Sequence, residues 1–500
     1  MDTEMVDRCK QEETVYEKRI HIINSGGDII CQCLVEYYST PPESMQPHSK
    51  EDGNGINKPP DHWLPITESR KGNSWTATFH LLCSGIGVQT LSLPLALMYL
   101  GWFWGILCLF IVFVWQIYTM LLLVDLHESI SGTQLTRYSR YLQLSVAAFG
   151  VKLGKVLAIF PVMYLSGGSC VMFIITGGGT MKLFYQLLCK DCSSKHPLTT
   201  TEWYLVFICL AILVSLFCPN LNSVAFVSFL GAVMAVGYCT ILWVVFVTKG
   251  KADGVVYDPS KVAASEAGRI RNILYALGII FLAFRGHNVV LEIQGTMPST
   301  PNRPSSKFMW NGVLASYLII AMCFFPLASV GYWALGNKIP ASGGLLIALS
   351  TSLHHHISKA VVGLLYVQVV ISCVAAFQIY SMVVYDNLER AYASRTKQKC
   401  SKSTSIGIRI FFGGLTFFIS VAFPFLPSLG VVIGGIALPL TFGYPCLMWI
   451  AIKRPPTKSA RWWLNLALGC LGVGLSVLLV VGAVWNLACT GLDANFLHPH

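Results

Sequence analysis

Phe281-Leu-Ala-Phe-Arg-Gly-His-Asn-Val-Val-Leu-Glu292 decides how this chain is read. The stretch lies inside Ile273–Ile293, an apolar run long enough to cross a bilayer core, which takes about 20 helical residues. Phe284-Arg285-Gly286-His287-Asn288 interrupts that run, and Glu292 follows in the next turn. Glycine is a poor helix former, and charge at membrane depth is costly and usually functional. A second interruption, Ser84-Gly85-Ile86-Gly87, falls inside the run Trp75–Tyr99. Two broken membrane helices, five apart in order, point to a binding site at the midplane of an inverted-repeat transporter.

The composition around these breaks agrees. The chain has 500 residues, of which only 12% are charged, and its mean hydropathy is +0.59. A soluble chain carries roughly 25% charged residues. Eleven apolar runs can be read: Trp75–Tyr99, Trp102–Leu126, Val156–Phe184, Trp203–Phe217, Val224–Val247, Ile273–Ile293, Trp310–Leu335, Ala360–Val384, Ile406–Phe423, Leu429–Ile452 and Trp462–Leu487. The fourth and ninth are short; the third is long enough to tilt. The runs are too continuous for barrel strands, which alternate over about ten residues. The reading is an all-α polytopic membrane protein of about 11 transmembrane helices. The first 70 residues are polar, with no apolar stretch behind a basic start, so no signal peptide is expected.

The net charge of +11 orients the chain and does not imply nucleic-acid binding. With a cytosolic N-terminus, 24 of the 35 Lys and Arg residues lie on the cytosolic side, ten lie opposite, and Arg285 is intramembrane. The positive-inside rule therefore favours a cytosolic N-terminus. The loop Lys249–Arg271 runs against the rule with five basic residues. The expected organisation is a mostly disordered cytosolic tail (1–72), a transporter domain (73–490) and a short external tail (491–500). Within the domain, repeat one covers about 75–248, repeat two about 273–452, and an extra helix 462–487. Each five-helix unit opens with an interrupted helix, and an odd number per unit inverts the two units in the membrane. Ile20–Tyr38 is apolar and β-prone within the tail, and Cys31-Gln-Cys33 reads as an ordinary reduced pair.

The candidate site residues cluster at the breaks. At the first, Ser84, Gly85, Ile86, Gly87, Val88 and Gln89 permit unwinding, and a helix restarting there offers free N–H groups to a carboxylate. Close glycine packing against a neighbouring helix is the alternative. At the second, Phe284, Arg285 and Gly286 leave free carbonyls for an ammonium group. His287 and Glu292 are candidate proton carriers; alternatively Arg285 and Glu292 form a structural ion pair and His287 is a hydrogen-bonded core residue. A fixed cation at Arg285 can replace a coupling metal ion, which favours protons over sodium. Tyr164-Leu-Ser-Gly-Gly-Ser169 and Cys373-Val-Ala-Ala-Phe-Gln378 either line the same cavity, with Gln378 as a substrate contact, or serve as helix contacts. Gly101-Trp-Phe-Trp-Gly105 and Gly430-Val-Val-Ile-Gly434 read as intramolecular packing. Asp125, His127 and Glu128 read as a solvated interface, with a gate as second reading. Cys189 and Cys192 fall in an external loop, where a disulfide is permitted. His354-His-His356 reads as exposed loop. No Walker motif is present, no metal or other cofactor is expected, and no catalytic motif marks an enzyme.

At these residues the chain resembles the amino acid/auxin permease family of plants, specifically its lysine/histidine transporter-like branch. Gly286-His-Asn-Val-Val-Leu-Glu-Ile-Gln-Gly-Thr-Met-Pro-Ser-Thr-Pro301 looks like that branch's signature. Phe324-Phe-Pro-Leu-Ala-Ser-Val-Gly-Tyr-Trp-Ala-Leu-Gly336, Gln378-Ile-Tyr-Ser-Met382 and Thr176-Gly-Gly-Gly179 are similar matches. The resemblance covers about Trp75 to Leu487. It implies a LeuT-type 5+5 inverted repeat plus an eleventh helix, and proton-coupled import of amino acids with H+ as coupling ion. Arg285 stands where the family has a small residue, and Gly87-Val-Gln89 where it has Gly-Ala-Gly. Both departures make the site more polar and move it away from lysine and histidine as substrates. The expected function is proton-coupled import of neutral or broad-range amino acids across the plasma membrane. The alternatives are transport of an auxin-like or other organic anion, and a non-transporting amino-acid sensor.

Overall fold

The computed structural model describes residues 60–490, except 132–133, 190–197, 260–264, 301, 341–344, 346–347, 349–356 and 426–429. Cys192, His354-His-His356, Ile20–Tyr38 with Cys31-Gln-Cys33, and the tail 491–500 lie outside the described residues.

Among the described residues, ten helical segments are long and apolar enough to cross a membrane. One of them, Val88–Leu126, supplies two crossings. Gly101 adopts φ 76°, ψ 175° inside it, a backbone region that is essentially glycine-only. The chain turns back there: a Cβ at Gly105 would stand 3.2 Å from the Leu97 Cα. In a continuous helix those positions lie about 12 Å apart. Among the described residues the crossings therefore number eleven, in line with the apolar runs.

The first crossing is α1 (Ser74–Gly85), a short 3-10 turn at Val88–Ser92 and the start of α2 (Leu93–Leu126). Asn73 caps α1 through a capping box with Thr76, which satisfies two of its free end groups. After α2 come a two-stranded ribbon, β1 (Glu128–Ser131) and β2 (Gln134–Arg137), and the short helix α3 (Tyr141–Phe149). The third to fifth crossings are α4 (Val151–Leu188), α5 (Thr200–Phe217) and α6 (Ala225–Lys249). The sixth is broken into α7 (Glu266–Ala283) and α8 (His287–Gly295). The seventh to ninth are α9 (Ser305–Leu335), α10 (Lys359–Thr396) and α11 (Lys402–Ala422). The tenth joins α12 (Gly430–Leu438) and α13 (Tyr444–Lys453) through a π-helical turn at Pro439–Gly443, and α14 (Ala460–Thr490) is the eleventh.

Burial sorts these crossings into a centre and a rim. The sixth crossing is 72% buried, whereas the fourth, ninth and eleventh are 33% buried. Rim side chains such as Phe226, Phe411 and Val477 are exposed, which suits contact with lipid tails. The glycines of Gly430-Val-Val-Ile-Gly434 pack on Leu282 of α7, so this motif serves intramolecular packing, as the pair Gly101/Gly105 does.

The structure extends the sequence reading at one end. Part of residues 60–67, placed within the tail by composition, is packed: Leu64, Ile66 and Thr67 are buried. The Ile66 N–H donates to Asp386 Oδ1 at 3.2 Å. The apolar Trp63-Leu-Pro-Ile66 stretch has enough surface to dock, which mean polarity over the tail conceals.

Candidate functional site

The two breaks meet at the centre of the bundle. α1 ends at Gly85, with Ile86 at φ −86°, ψ 89°. Gly87 is extended, and a new helical turn starts at Val88. α7 ends at Ala283, Phe284 is extended, and Gly286 takes a left-handed φ of 111° before α8 begins at His287. That conformation favours glycine, and a Cβ at Gly286 would face Ser84 Oγ at 3.6 Å.

Arg285 bridges the breaks. Its Nη2 donates to Gln89 Oε1 at 2.7 Å. The guanidinium also occupies the space above Gly87: a Cβ there would lie 1.8 Å from Nη2. The cation faces the rings of Phe173 on α4 and Tyr380 on α10, at 5.6 and 5.8 Å from their centroids. It is 6% exposed, and its Nε has no hydrogen-bond partner. Among the described residues it makes no ion pair, so the structural pair with Glu292 is not formed.

Other side chains satisfy the freed backbone. Tyr380 donates from its hydroxyl to the Ser84 carbonyl at 2.9 Å, covering an end carbonyl of α1 that has no intrahelical partner. Gln116 Nε2 donates to the Arg285 carbonyl at 3.2 Å and to the Tyr317 hydroxyl at 2.7 Å. The N–H groups at the start of the Val88 turn have no partner within that turn. The site therefore offers one fixed cation and free N–H groups to an anion.

α8 carries four buried polar side chains, His287, Asn288, Glu292 and Gln294. His287 Nε2 lies 2.9 Å from Thr119 Oγ1, and its Nδ1 has no partner. Asn288 Nδ2 donates to Ser166 Oγ at 2.9 Å, so Ser166 of the Tyr164–Ser169 stretch does reach the sixth crossing. Glu292 Oε1 accepts from the Tyr141 N–H at 3.2 Å, while Oε2 has no partner.

Beyond Glu292 stands a buried ion pair. Arg140 Nε lies 2.5 Å from Asp386 Oδ2, and Arg140 Nη2 donates to Asp386 Oδ1 at 3.1 Å. Nη2 also reaches Thr67 Oγ1 at 3.3 Å. The pair ties the loop after α2 to α10 and to the N-terminal segment. Beside it, Glu128 is largely buried and binds Ser305 and Arg137. His127 is fully buried, and its ring is pushed down to about 3 by burial and by the charge of Arg70. These two residues are a packed cluster and not the solvated face that their polarity suggested; the loop and ribbon fold over them. Asp125 is exposed and accepts from Trp310 Nε1 at 3.0 Å.

Ser84–Gln89, Phe284–His287 and Arg285's contacts thus come together, and Gln378 does not join them. Its Nε2 donates to the Ala211 carbonyl of α5 at 2.9 Å. Two residues along a helix face nearly opposite sides, so Tyr380 reaches the break and Gln378, also buried, turns towards α5. Phe173, Tyr380, Gln116 and the Arg140–Asp386 pair were not singled out from sequence. Tyr380 lies within the quoted Gln378-Ile-Tyr-Ser-Met382 motif, which was the available signal. Cys189 is disulfide-bonded, and Cys192 lies outside the described residues.

The sequence profile described as "Transmembrane amino acid transporter protein" matches residues 70–488. "Lysine histidine transporter-like 8" of Arabidopsis thaliana is 48% identical over 88% of this chain and 84% of its own length. "Lysine histidine transporter-like 7" of the same plant is 46% identical over 92% of this chain and 94% of its own length. Among solved structures, a substrate-bound outward-open Na+-coupled sialic acid symporter superposes with TM-score 0.54 at 13% identity, covering 88% of this chain and 94% of that one. MhsT in complex with L-phenylalanine superposes with TM-score 0.53 at 11% identity, covering 83% and 99%. The fold is that of the LeuT-type transporters, with two five-helix units and an eleventh helix.

Proposed function

The chain belongs to the transmembrane amino acid transporter family and to its lysine histidine transporter-like branch, and from that premise we propose that it is a secondary active transporter importing neutral or broad-range amino acids together with protons. The observation that carries the reading is Arg285: a buried cation with an unpartnered Nε that joins both helix breaks beside free N–H groups. The substrate carboxylate is held at the N–H groups of Gly87 and Val88, next to this cation, because the Ile86 N–H is already taken by the Leu82 carbonyl at 2.9 Å and Gly85 lies within α1. The ammonium group takes the carbonyls near Phe284–Gly286.

His287 and Glu292 are the candidate proton carriers, each with one buried polar atom without a partner. Both lie on α8, the helix that the substrate site begins. Substrate and proton act together only if each binds the occluded state better than the open one. Access alternates as the five-helix units rock. Opening towards the N-terminal face, taken as cytosolic, requires the Arg140–Asp386 pair to part. In the plasma membrane, a potential of about 100 mV adds roughly 2.3 kcal/mol per charge moved inwards, so proton symport concentrates substrate.

Arg285 without an acidic partner also favours a second reading, transport of an organic anion lacking an amino group. Uptake of a radiolabelled amino-acid mixture into transporter-deficient cells separates the two. The expected result is uptake that rises at acid pH and collapses with a protonophore. Uptake blocked by indole acids and indifferent to alanine would replace the amino-acid reading with the organic-anion one.

A further inference from the structure

The cation between the two helix breaks is met by a side chain of the chain itself. Arg285 Nη2 is met at 2.7 Å by Gln89 Oε1, a neutral oxygen where a carboxylate oxygen would be the stronger partner. A guanidinium presents five N–H donors in a flat fork matched to two carboxylate oxygens. Here one edge is only partly used: Nε is unpartnered, and the residue is 6% exposed. The rings of Phe173 and Tyr380 flank the cation at 5.6 and 5.8 Å, which eases its burial without neutralising it. Gly87 provides the seat, because any Cβ there would run into Nη2. Glu292, the buried acidic residue of the same crossing, is engaged at the far end of α8 with the Tyr141 N–H.

From this arrangement we infer that the transporter ranks amino acids by side-chain charge. Arg285 is the counter-ion for a side-chain carboxylate, and Gln89 is the placeholder that such a carboxylate displaces. Glutamate and aspartate are preferred over their near-isosteric amides glutamine and asparagine, and lysine and arginine are excluded. The inference rests on the amino-acid transport reading and narrows its substrate range. A charge-assisted hydrogen bond gained at a buried cation favours the acid roughly ten-fold over the amide. A second cation within about 5 Å of Arg285 is disfavoured on the order of 100-fold at the effective permittivity of a protein site.

The test is competition against radiolabelled alanine uptake in cells, with surface abundance measured, for the native chain, Arg285→Gln and Gln89→Ala. The native chain is expected to be inhibited by glutamate at about one-tenth the concentration of glutamine, and by lysine hardly at all. Arg285→Gln is expected to bring the glutamate-to-glutamine ratio close to one and to admit lysine. Gln89→Ala is expected to widen the ratio in favour of glutamate, because the cation then waits without a partner. If Arg285→Gln does not transport, the ligand-induced rise in melting temperature of purified native and Gln89→Ala protein gives the same ranking. Glutamine competing as well as glutamate in the native chain, or lysine competing at all strongly, overturns the inference while leaving amino-acid transport intact. Absence of alanine uptake with the native protein at the surface overturns the transport reading, and this inference with it.

Discussion

Arg140 and Asp386 form a two-pronged ion pair with side chains 1% and 0% exposed, joining the loop after α2 to α10. Asp386 also accepts from the Ile66 N–H, so one carboxylate gathers three separate parts of the chain. Removing one partner of a buried pair leaves an uncompensated charge, at a cost of about 3–5 kcal/mol. Arg140→Gln and Asp386→Asn are each expected to lower the melting temperature of the purified protein sharply. The two losses are expected to be strongly non-additive in the double variant. Additive losses would show that the pair is not a coupled unit.

Gly101 turns the chain between the first and second crossings. Its φ of 76° and ψ of 175°, with the Pro259 ring at 3.1 Å from a Cβ, leave no unstrained place for alanine. Gly101→Ala is expected to destabilise the fold by about 1–3 kcal/mol, seen as a lower melting temperature with substrate competition unchanged among molecules that reach the surface.

Gly87 has the opposite signature. The atom that a Cβ would strike is the end of a flexible side chain, so Gly87→Ala is expected to fold with near-native thermal stability. It displaces Arg285 from Gln89, and the KM for substrate is expected to rise at least about ten-fold, the value of one charge-assisted bond. A native KM at equal surface abundance would remove Arg285 from the site.

Tyr380 and Gln378 give a paired control on one helix. Tyr380→Phe removes the hydroxyl that covers the Ser84 carbonyl and is expected to alter KM by a few-fold, in line with about 0.5–1.5 kcal/mol for one hydrogen bond. Gln378→Ala loses its bond to Ala211 and is expected to leave the competition profile unchanged. The reverse outcome would mean that α10 is rotated in the working protein.

The crossings and both breaks were legible because they are one-dimensional signals: apolar length, and glycine or charge inside it. Even the reversal at Gly101 falls in the two-residue gap between two apolar runs. What packing decides was not legible. Polarity drew attention to Gln378, but which face of α10 turns inward depends on α1 and α5, and it selected Tyr380. Arg140 and Asp386 are 246 positions apart; the first lies in the stretch between two apolar runs and the second just past the end of one, where charge ordinarily means an interface. Glu128 and His127 looked solvated for the same reason, because nothing in their neighbourhood announces that Arg137, Tyr138 and Ser305 come against them. Arg285 was legible as a residue out of place; that its partner is Gln89 and not Glu292 required the two breaks to be set side by side.

The central claim is that this site moves an amino acid at the expense of a proton gradient. Purified protein in liposomes tests it most directly, with a radiolabelled amino acid outside and either a pH gradient or a sodium gradient imposed. The account requires accumulation above the outside concentration when the outside is acidic, its loss when the pH is equalised, and no accumulation from sodium alone. Accumulation driven by sodium, or binding of the amino acid without any flux, would contradict it.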